Sequence, residues 1–321
     1  MVKELENKMV KVYIDGQEGT TGLKILERFK GRNDIELLKI DEDKRKDVNE
    51  RKKFINASDF TFLCLPDAAA REAVALADSD HVRIIDASTA HRTNPDWAYG
   101  FPELSPEHRE KIRASKRVAN PGCYASGFIS LVYPLVKAGL IPADFPVFAY
   151  ATSGYSGAGK KAIAAYESEN KPQELLSPRQ YALNMNHKHL PEMQLISGLS
   201  CKPMFNPIVD NYYSGMVVSV PLQPKLTGIS CTPEQVREAL YENYKDAKLI
   251  EVKPTGSECV PDGFLTSNGL SGTNKMELYV FGNSEQMLLC SRLDNLGKGA
   301  SGAAVQCLNI MMGIDETTGL I

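Results

Sequence analysis

The chain has 321 residues, 43% of them hydrophobic and 24% charged, with a formal net charge of -3. That length suggests two domains, the composition is that of an ordinary soluble globular protein, and the charge balance argues against nucleic acid as a partner. No stretch approaches the about 20 apolar residues of a membrane span, residues 1–8 resemble neither a signal nor a transit peptide, and seven cysteines without CxxC or framework spacing fit free thiols in a reducing compartment. The expectation is a cytoplasmic protein that binds neither nucleic acid nor membrane.

Val10–Asp15 reads as a short buried strand that runs into Gly16-Gln17-Glu18-Gly19-Thr20-Thr21-Gly22, followed by a helical pattern over 23–29. A strand, a glycine-rich turn and a helix together place a diphosphate against backbone N–H groups. The glycines are spaced GxxGxxG instead of GxGxxG, a weak signal alone that gains weight from its setting. Residues 35–40 read as the next strand. Asp41 ends it, and Lys44, Arg45 and Lys46 follow. The acid suits a ribose hydroxyl and the bases suit a ribose 2′-phosphate, so NADP is favoured over NAD, with a solvated charged loop as the alternative.

Residues 60–65 form an apolar run ending at Pro66-Asp67, a helix is expected over 68–77, and 83–87 is another buried strand. This alternation predicts a doubly wound, mostly parallel sheet. Ligands bind such sheets beyond the carboxyl ends of the strands, where Gly16, Pro66 and Ser88 fall. Cys123 falls there too if Arg117-Val118-Ala119 is a strand. It follows the turn Asn120-Pro121-Gly122 and opens the apolar segment 124–132. At a helix N-terminus its thiol pKa would be lowered, making it a candidate nucleophile; the alternative is a small buried hydrophobe. The other six cysteines (64, 201, 231, 259, 290 and 307) lack this setting.

Beyond Cys123 the pattern changes. Residues 146–152 read as a strand that ends in a second glycine-rich loop, 153–160, whose amides and Lys160 can hold an anion, although it is no complete P-loop. His187 and His189 stand before a helix start at Pro191, without further ligands at a metal-like spacing, so no metal is expected. Strands are expected over 216–220, 249–252, 278–281 and 286–291, and a capped helix begins at Thr232. Many strands with few helices suggest an antiparallel α+β domain with a face available for oligomerisation. A final helix over 300–312 is placed to pack back on the first domain. The expected division is 1–122 plus 298–321 for dinucleotide binding and 123–297 for catalysis and oligomerisation.

Taken together these segments resemble the N-acetyl-gamma-glutamyl-phosphate reductase family, in its shorter form. The matching runs are Asp15–Gly22, Asp86–Arg92, Trp97–Glu103, Asn120–Tyr124, Ser153–Lys160, His187–Glu192 and Leu293–Ala300. Ser126 stands where many members carry Thr. The resemblance implies an α/β fold with a Rossmann-type NADP-binding domain and an α+β catalytic and dimerisation domain, assembled as a homodimer or homotetramer. It implies that the Cys123 thiolate attacks N-acetyl-gamma-glutamyl phosphate, expels phosphate and leaves a thioester that NADPH reduces to the semialdehyde, in arginine biosynthesis. His189 matches the family's acid-base histidine, with His187 as the alternative. Gly16, Gln17, Gly19, Thr20, Thr21, Gly22, Lys44, Arg45, Pro66 and Ser88 become candidates for the cofactor. Arg92, Asn120 and Lys160 become candidates for the substrate, with a surface salt bridge the alternative for Arg92 and Lys160.

Two competing readings stand beside this one. Aspartate-semialdehyde dehydrogenase shares the fold, the cysteine chemistry and the use of NADP, but the contexts Pro121-Gly122-Cys123-Tyr124 and His187–Glu192 favour the acetylglutamyl enzyme. A non-catalytic dinucleotide-binding regulator would be favoured by loss of the cysteine or the histidine, and both are present.

Overall fold

The computed structural model describes residues 9–228 and 230–321, so the reading of residues 1–8 lies outside the described residues. The first part alternates strand and helix: β1 (Val10–Asp15), α1 (Thr20–Arg28), β2 (Ile35–Leu38), α2 (Val48–Ala57), β3 (Phe60–Leu63), α3 (Asp67–Ala75), β4 (Arg83–Asp86), β5 (Ala98–Tyr99), α4 (Pro106–Ala114) and β6 (Arg117–Ala119). The six strands form one parallel sheet in the order β2-β1-β3-β4-β6-β5. Side chains alternate along β1, so Val12 and Ile14 join the core under α1 and α4, while Tyr13 joins the core under α2 and α3. The expected doubly wound α/β fold is present.

The chain leaves β1 in one direction to form β2 and crosses back over β1 to form β3. The loops after β1 and β3 therefore flank the point where the winding reverses, which opens a crevice at the strands' carboxyl ends. Gly16 makes that crevice narrow. It adopts φ +85°, and a Cβ there would run into the carbonyl oxygen of Cys64. Helix α1 begins at Thr20, earlier than the apolar pattern suggested, because Gly19 already serves as its N-cap.

β6 feeds through a short turn into α5 (Cys123–Lys137), a helix apolar on nearly every side. It lies buried against the second sheet, close enough at Gly127 that a Cβ would stand 2.5 Å from Val218. The second part continues with β7 (Phe148–Gly154), α6 (Lys160–Glu167), β8 (Arg179–Gln180), α7 (Leu190–Ser197), β9 (Met204–Asp210), β10 (Met216–Leu222), α8 (Pro224–Thr227), α9 (Pro233–Tyr244), β11 (Ile250–Val252), β12 (Met276–Gly282) and β13 (Met287–Leu293). Its seven strands run in the order β11-β12-β13-β10-β7-β9-β8. The expectation of an antiparallel sheet is corrected here: β7 pairs with β9, and β11 with β12, in parallel. β7 returns to β9 by way of α6 and α7, and such a helical crossover delivers a parallel neighbour. One face of this sheet packs on α5, α7 and α9. The opposite face is partly covered by Cys259, Val260 and Leu265, and leaves Phe148 and Met204 exposed.

The chain closes with a π-helical turn over Gly297–Ser301 that passes into α10 (Gly302–Met312). This helix returns to the first sheet, where Arg83 donates to the Met311 carbonyl (2.6 Å) and Arg32 to Asn309 Oδ1 (3.1 Å). A buried cluster holds the crossing point. Lys298 Nζ donates to Glu103 Oε1 (2.7 Å) and Gln306 Oε1 (2.5 Å), and Gln306 in turn donates to Glu316.

Candidate active site

A cleft of about 530 Å3 runs from the N-terminus of α1 to the N-terminus of α5 and the second glycine-rich loop. Gly19, Thr20 and Thr21 line one end, and no acid stands in the first turn of α1, so its free N–H groups suit a diphosphate. Gly22 backs this turn, where a Cβ would stand 2.7 Å from Gln17 Cα. Pro66 caps α3 beside the crevice. Ser88 turns inward: its N–H and hydroxyl both donate to Asp86, which also bonds His91 Nδ1 (2.6 Å), and the His91 ring stacks on Trp97. Lys44 pairs with Asp41 and Arg45 reaches toward Glu18 and Glu42, all at the surface past β2. Of these, the glycine-rich turn and the free N–H groups of α1 suit a nicotinamide dinucleotide, whereas Pro66, Ser88, Lys44 and Arg45 lie outside the cleft lining.

Cys123 stands at the first position of α5, half-buried in the cleft wall. The structure departs from the expectation of a lowered thiol pKa. Burial pushes the thiol up to about 11, although the Tyr124 backbone N–H, Arg92 and Lys188 all pull it down. His189 is buried in the wall of the same cleft. Burial first, then the charges of Arg92 and Lys188 and the coupled titration of His187, hold its imidazole well below the ordinary value of 6.5. Thiol and imidazole therefore both rest neutral at pH 7. Gly122 admits the imidazole to the turn before Cys123: a Cβ there would overlap the Nε2–Cε1 edge of the His189 ring and stand 2.6 Å from Arg92 Nη1. On the other side Gly299, in the π-helical turn, admits Cys123, whose Cβ would lie 2.8 Å from an added methyl.

The turn before Cys123 is held by a residue that sequence reasoning passed over. Glu192, in the first turn of α7 and buried, accepts from Arg92 Nη1 (2.7 Å), the Tyr99 hydroxyl (2.8 Å) and the Gly122 N–H (3.1 Å). Arg92 also donates to the carbonyls of Asn120 (2.8 Å) and Ala87 (3.1 Å). One ion pair thus ties the loop after β4, the turn after β6 and α7. Asn120 donates to the Ala300 carbonyl, and its Oδ1 has no partner. Lys160 opens α6 on the exposed surface, outside the cleft lining, whereas Lys188 lines the cleft. His187 accepts from the His189 N–H (3.1 Å) and packs edge-on to Tyr124. Among the described residues no group of three or more His, Cys, Asp or Glu could hold a metal.

Residues 3–112 match the family model for the semialdehyde dehydrogenase NAD binding domain, and residues 123–295 match that for the semialdehyde dehydrogenase dimerisation domain. A relative from Nostoc sp., named N-acetyl-gamma-glutamyl-phosphate reductase 2, is 46% identical over 97% of this chain and 99% of its own. Another from Burkholderia lata, named N-acetyl-gamma-glutamyl-phosphate reductase, is 49% identical over 94% of this chain and 96% of its own. The chain belongs to the N-acetyl-gamma-glutamyl-phosphate reductase family. It is an oxidoreductase of the semialdehyde dehydrogenase type with a domain for NAD(P). The solved structure of aspartate semialdehyde dehydrogenase II from Vibrio cholerae shares the fold, with a TM-score of 0.70 at 17% identity over 96% of this chain and 99% of that one.

The charge state of the two histidines has a measurable consequence. His187 is held at about 4 and His189 well below 6.5, in both cases chiefly by burial, whereas an unfolded histidine titrates near ~6.5. The unfolded chain therefore binds the extra protons, and their contribution to stability is present above ~6.5 and lost as pH falls toward 4. Thermal unfolding between pH 7 and 4 is expected to fall more steeply for the wild type than for His187→Gln. Parallel curves would contradict the assignment of burial as the cause.

Proposed function

We propose that this chain reduces N-acetyl-gamma-glutamyl phosphate to N-acetylglutamate 5-semialdehyde and phosphate, using NADPH, in arginine biosynthesis. The observation that carries the reading is the placement of Cys123 at a helix N-terminus, with the His189 ring against the preceding Gly122, in the same cleft as the dinucleotide turn. Cys123 is the nucleophile. In the free protein its thiol is protonated, so attack requires loss of the proton to the adjacent neutral imidazole of His189, which is in the right state to accept it. The new C–S bond displaces phosphate and leaves an acyl thioester. The nicotinamide cofactor, when bound, supplies hydride to the thioester carbon. His189 returns its proton to the resulting oxyanion; as the thiohemiacetal collapses, its hydroxyl proton passes back to His189, the C–S bond breaks to give the semialdehyde and the Cys123 thiolate, and the thiolate then takes that proton to restore the neutral pair.

Gly16, Gln17, Gly19, Thr20, Thr21 and Gly22 shape and line the diphosphate turn, with Pro66 and Ser88 at neighbouring strand ends. Lys44 and Arg45 face solvent beside Asp41 and Glu18, which supports a 2′-phosphate as their ligand and NADP as the cofactor. Asn120, whose buried Oδ1 has no partner, stands at the substrate end of the cleft, and Arg92, engaged by Glu192, acts there by holding the turn before Cys123. Residues 1–122 with 298–321 form the cofactor domain and 123–297 the catalytic domain. The exposed Phe148 and Met204 on the outer face of the second sheet support self-association as a homodimer or homotetramer, and the seven unpaired thiols suit the cytoplasm.

Two measurements test this. In the reverse direction, NADP and phosphate should be consumed with N-acetylglutamate semialdehyde much faster than with aspartate semialdehyde. Cys123→Ser should lose that turnover by orders of magnitude while still binding NADPH; near-normal turnover would exclude covalent catalysis at this residue. Replacing Lys44 and Arg45 together by Ala should raise the KM for NADPH and leave that for NADH nearly unchanged. Equal effects on both cofactors would return these residues to the role of a solvated loop.

A further inference from the structure

An acyl phosphate that also bears a carboxylate brings two anionic groups into one cleft, yet among the described residues the lining offers only two permanent cations, Arg92 and Lys188, and no acid. Arg92 is already committed. Its guanidinium donates to Glu192 and to the carbonyls of Ala87 and Asn120, so its charge is balanced inside the protein. Lys160 stands on the surface, outside the lining. Lys188 is exposed, lies between two buried histidines of which His189 abuts the turn before Cys123, and makes no hydrogen bond or ion pair among the described residues. Its charge acts on Cys123, His187, His189 and Asp67. Asp67 is itself engaged by the N–H and hydroxyl of Thr89.

We propose that Lys188 is the binding residue for the phosphoryl group that leaves the substrate. The inference rests on the acyl-phosphate reading above. When Sγ of Cys123 attacks the acyl carbon, the C–S bond forms and the C–O bond to phosphorus breaks. Its electron pair departs with inorganic phosphate, and the thiol proton passes to His189. The phosphoryl group is bonded through one oxygen to the carbon under attack, so it lies beside Cys123, within the field of this uncommitted ammonium. A flexible lysine suits a group that must first be held and then released, because it acts as a point charge without the bidentate fit of arginine.

Inorganic phosphate is the probe. Alkylation of Cys123 by iodoacetamide, followed by peptide mass spectrometry so that the other thiols do not interfere, should be slowed by phosphate. The half-protecting concentration should rise about tenfold in Lys188→Met, the scale of one charge-assisted hydrogen bond, and return toward the wild-type value in Lys188→Arg. Equal protection in wild type and Lys188→Met, or none in the wild type, would overturn the proposal. In reverse turnover the KM for phosphate should rise by a similar factor in Lys188→Met, with the KM for the semialdehyde nearly unchanged. The opposite split would assign Lys188 to the carboxylate and overturn the proposal as well. If the wild type turned over no N-acetylglutamate semialdehyde, the reading of the substrate would fail, while the protection experiment would still decide the role of Lys188.

Discussion

The buried ion pair between Glu192 and Arg92 is the constraint on which the rest of the site depends. A carboxylate and a guanidinium are costly to remove from water, and they persist inside a fold only when each is met by further hydrogen bonds. Here every donor and acceptor that meets them belongs to backbone or to Tyr99, and those backbone groups are the turns that end β4 and β6. The pair therefore fixes the position of Gly122, and Gly122 fixes that of Cys123. Because α7 also begins just after His189, the same carboxylate ties the turn before Cys123 to the helix that carries the imidazole. Removing either partner would strand a buried charge, at a cost of about 3–5 kcal/mol, and would loosen three segments together.

The electrostatics around this clamp decide the resting state. The helix terminus and two cations favour a thiolate at Cys123, but burial outweighs them and the group rests as a thiol. The same burial keeps His189 neutral. A neutral pair avoids placing a separated thiolate and imidazolium in a poorly solvated wall, and the proton can move when an electrophile arrives to take up the developing charge. The departures from the simple helix-terminus argument for the thiol and from an ordinary histidine pKa thus share one cause.

Features that depend on local sequence were legible in advance. The strand, glycine turn and helix around Gly16–Gly22, the alternation that gives a doubly wound sheet, and the turn leading into α5 are written in short-range pattern and turn chemistry. Features that depend on distant partners were not. Glu192 stands in the sequence only as the end of the run His187–Glu192, and nothing nearby announces that Arg92, one hundred residues earlier, pairs with it. The parallel pairing of β7 with β9 is equally non-local, and β9 carries Asn206 and Pro207, residues that weaken a strand pattern. Lys188 lies between two histidines in the run His187–Glu192, but its freedom shows only in the fold, where Arg92 is engaged and Lys160 lies outside the cleft.

The account's central claim is that Cys123 carries the acyl group. The most direct test is to mix the protein with N-acetyl-gamma-glutamyl phosphate in the absence of cofactor, quench in acid and map the adduct by peptide mass spectrometry. The account predicts an N-acetylglutamyl thioester on Cys123, cleaved by hydroxylamine and accompanied by stoichiometric release of phosphate. An adduct on another residue, or phosphate release with Cys123 unmodified, would contradict it.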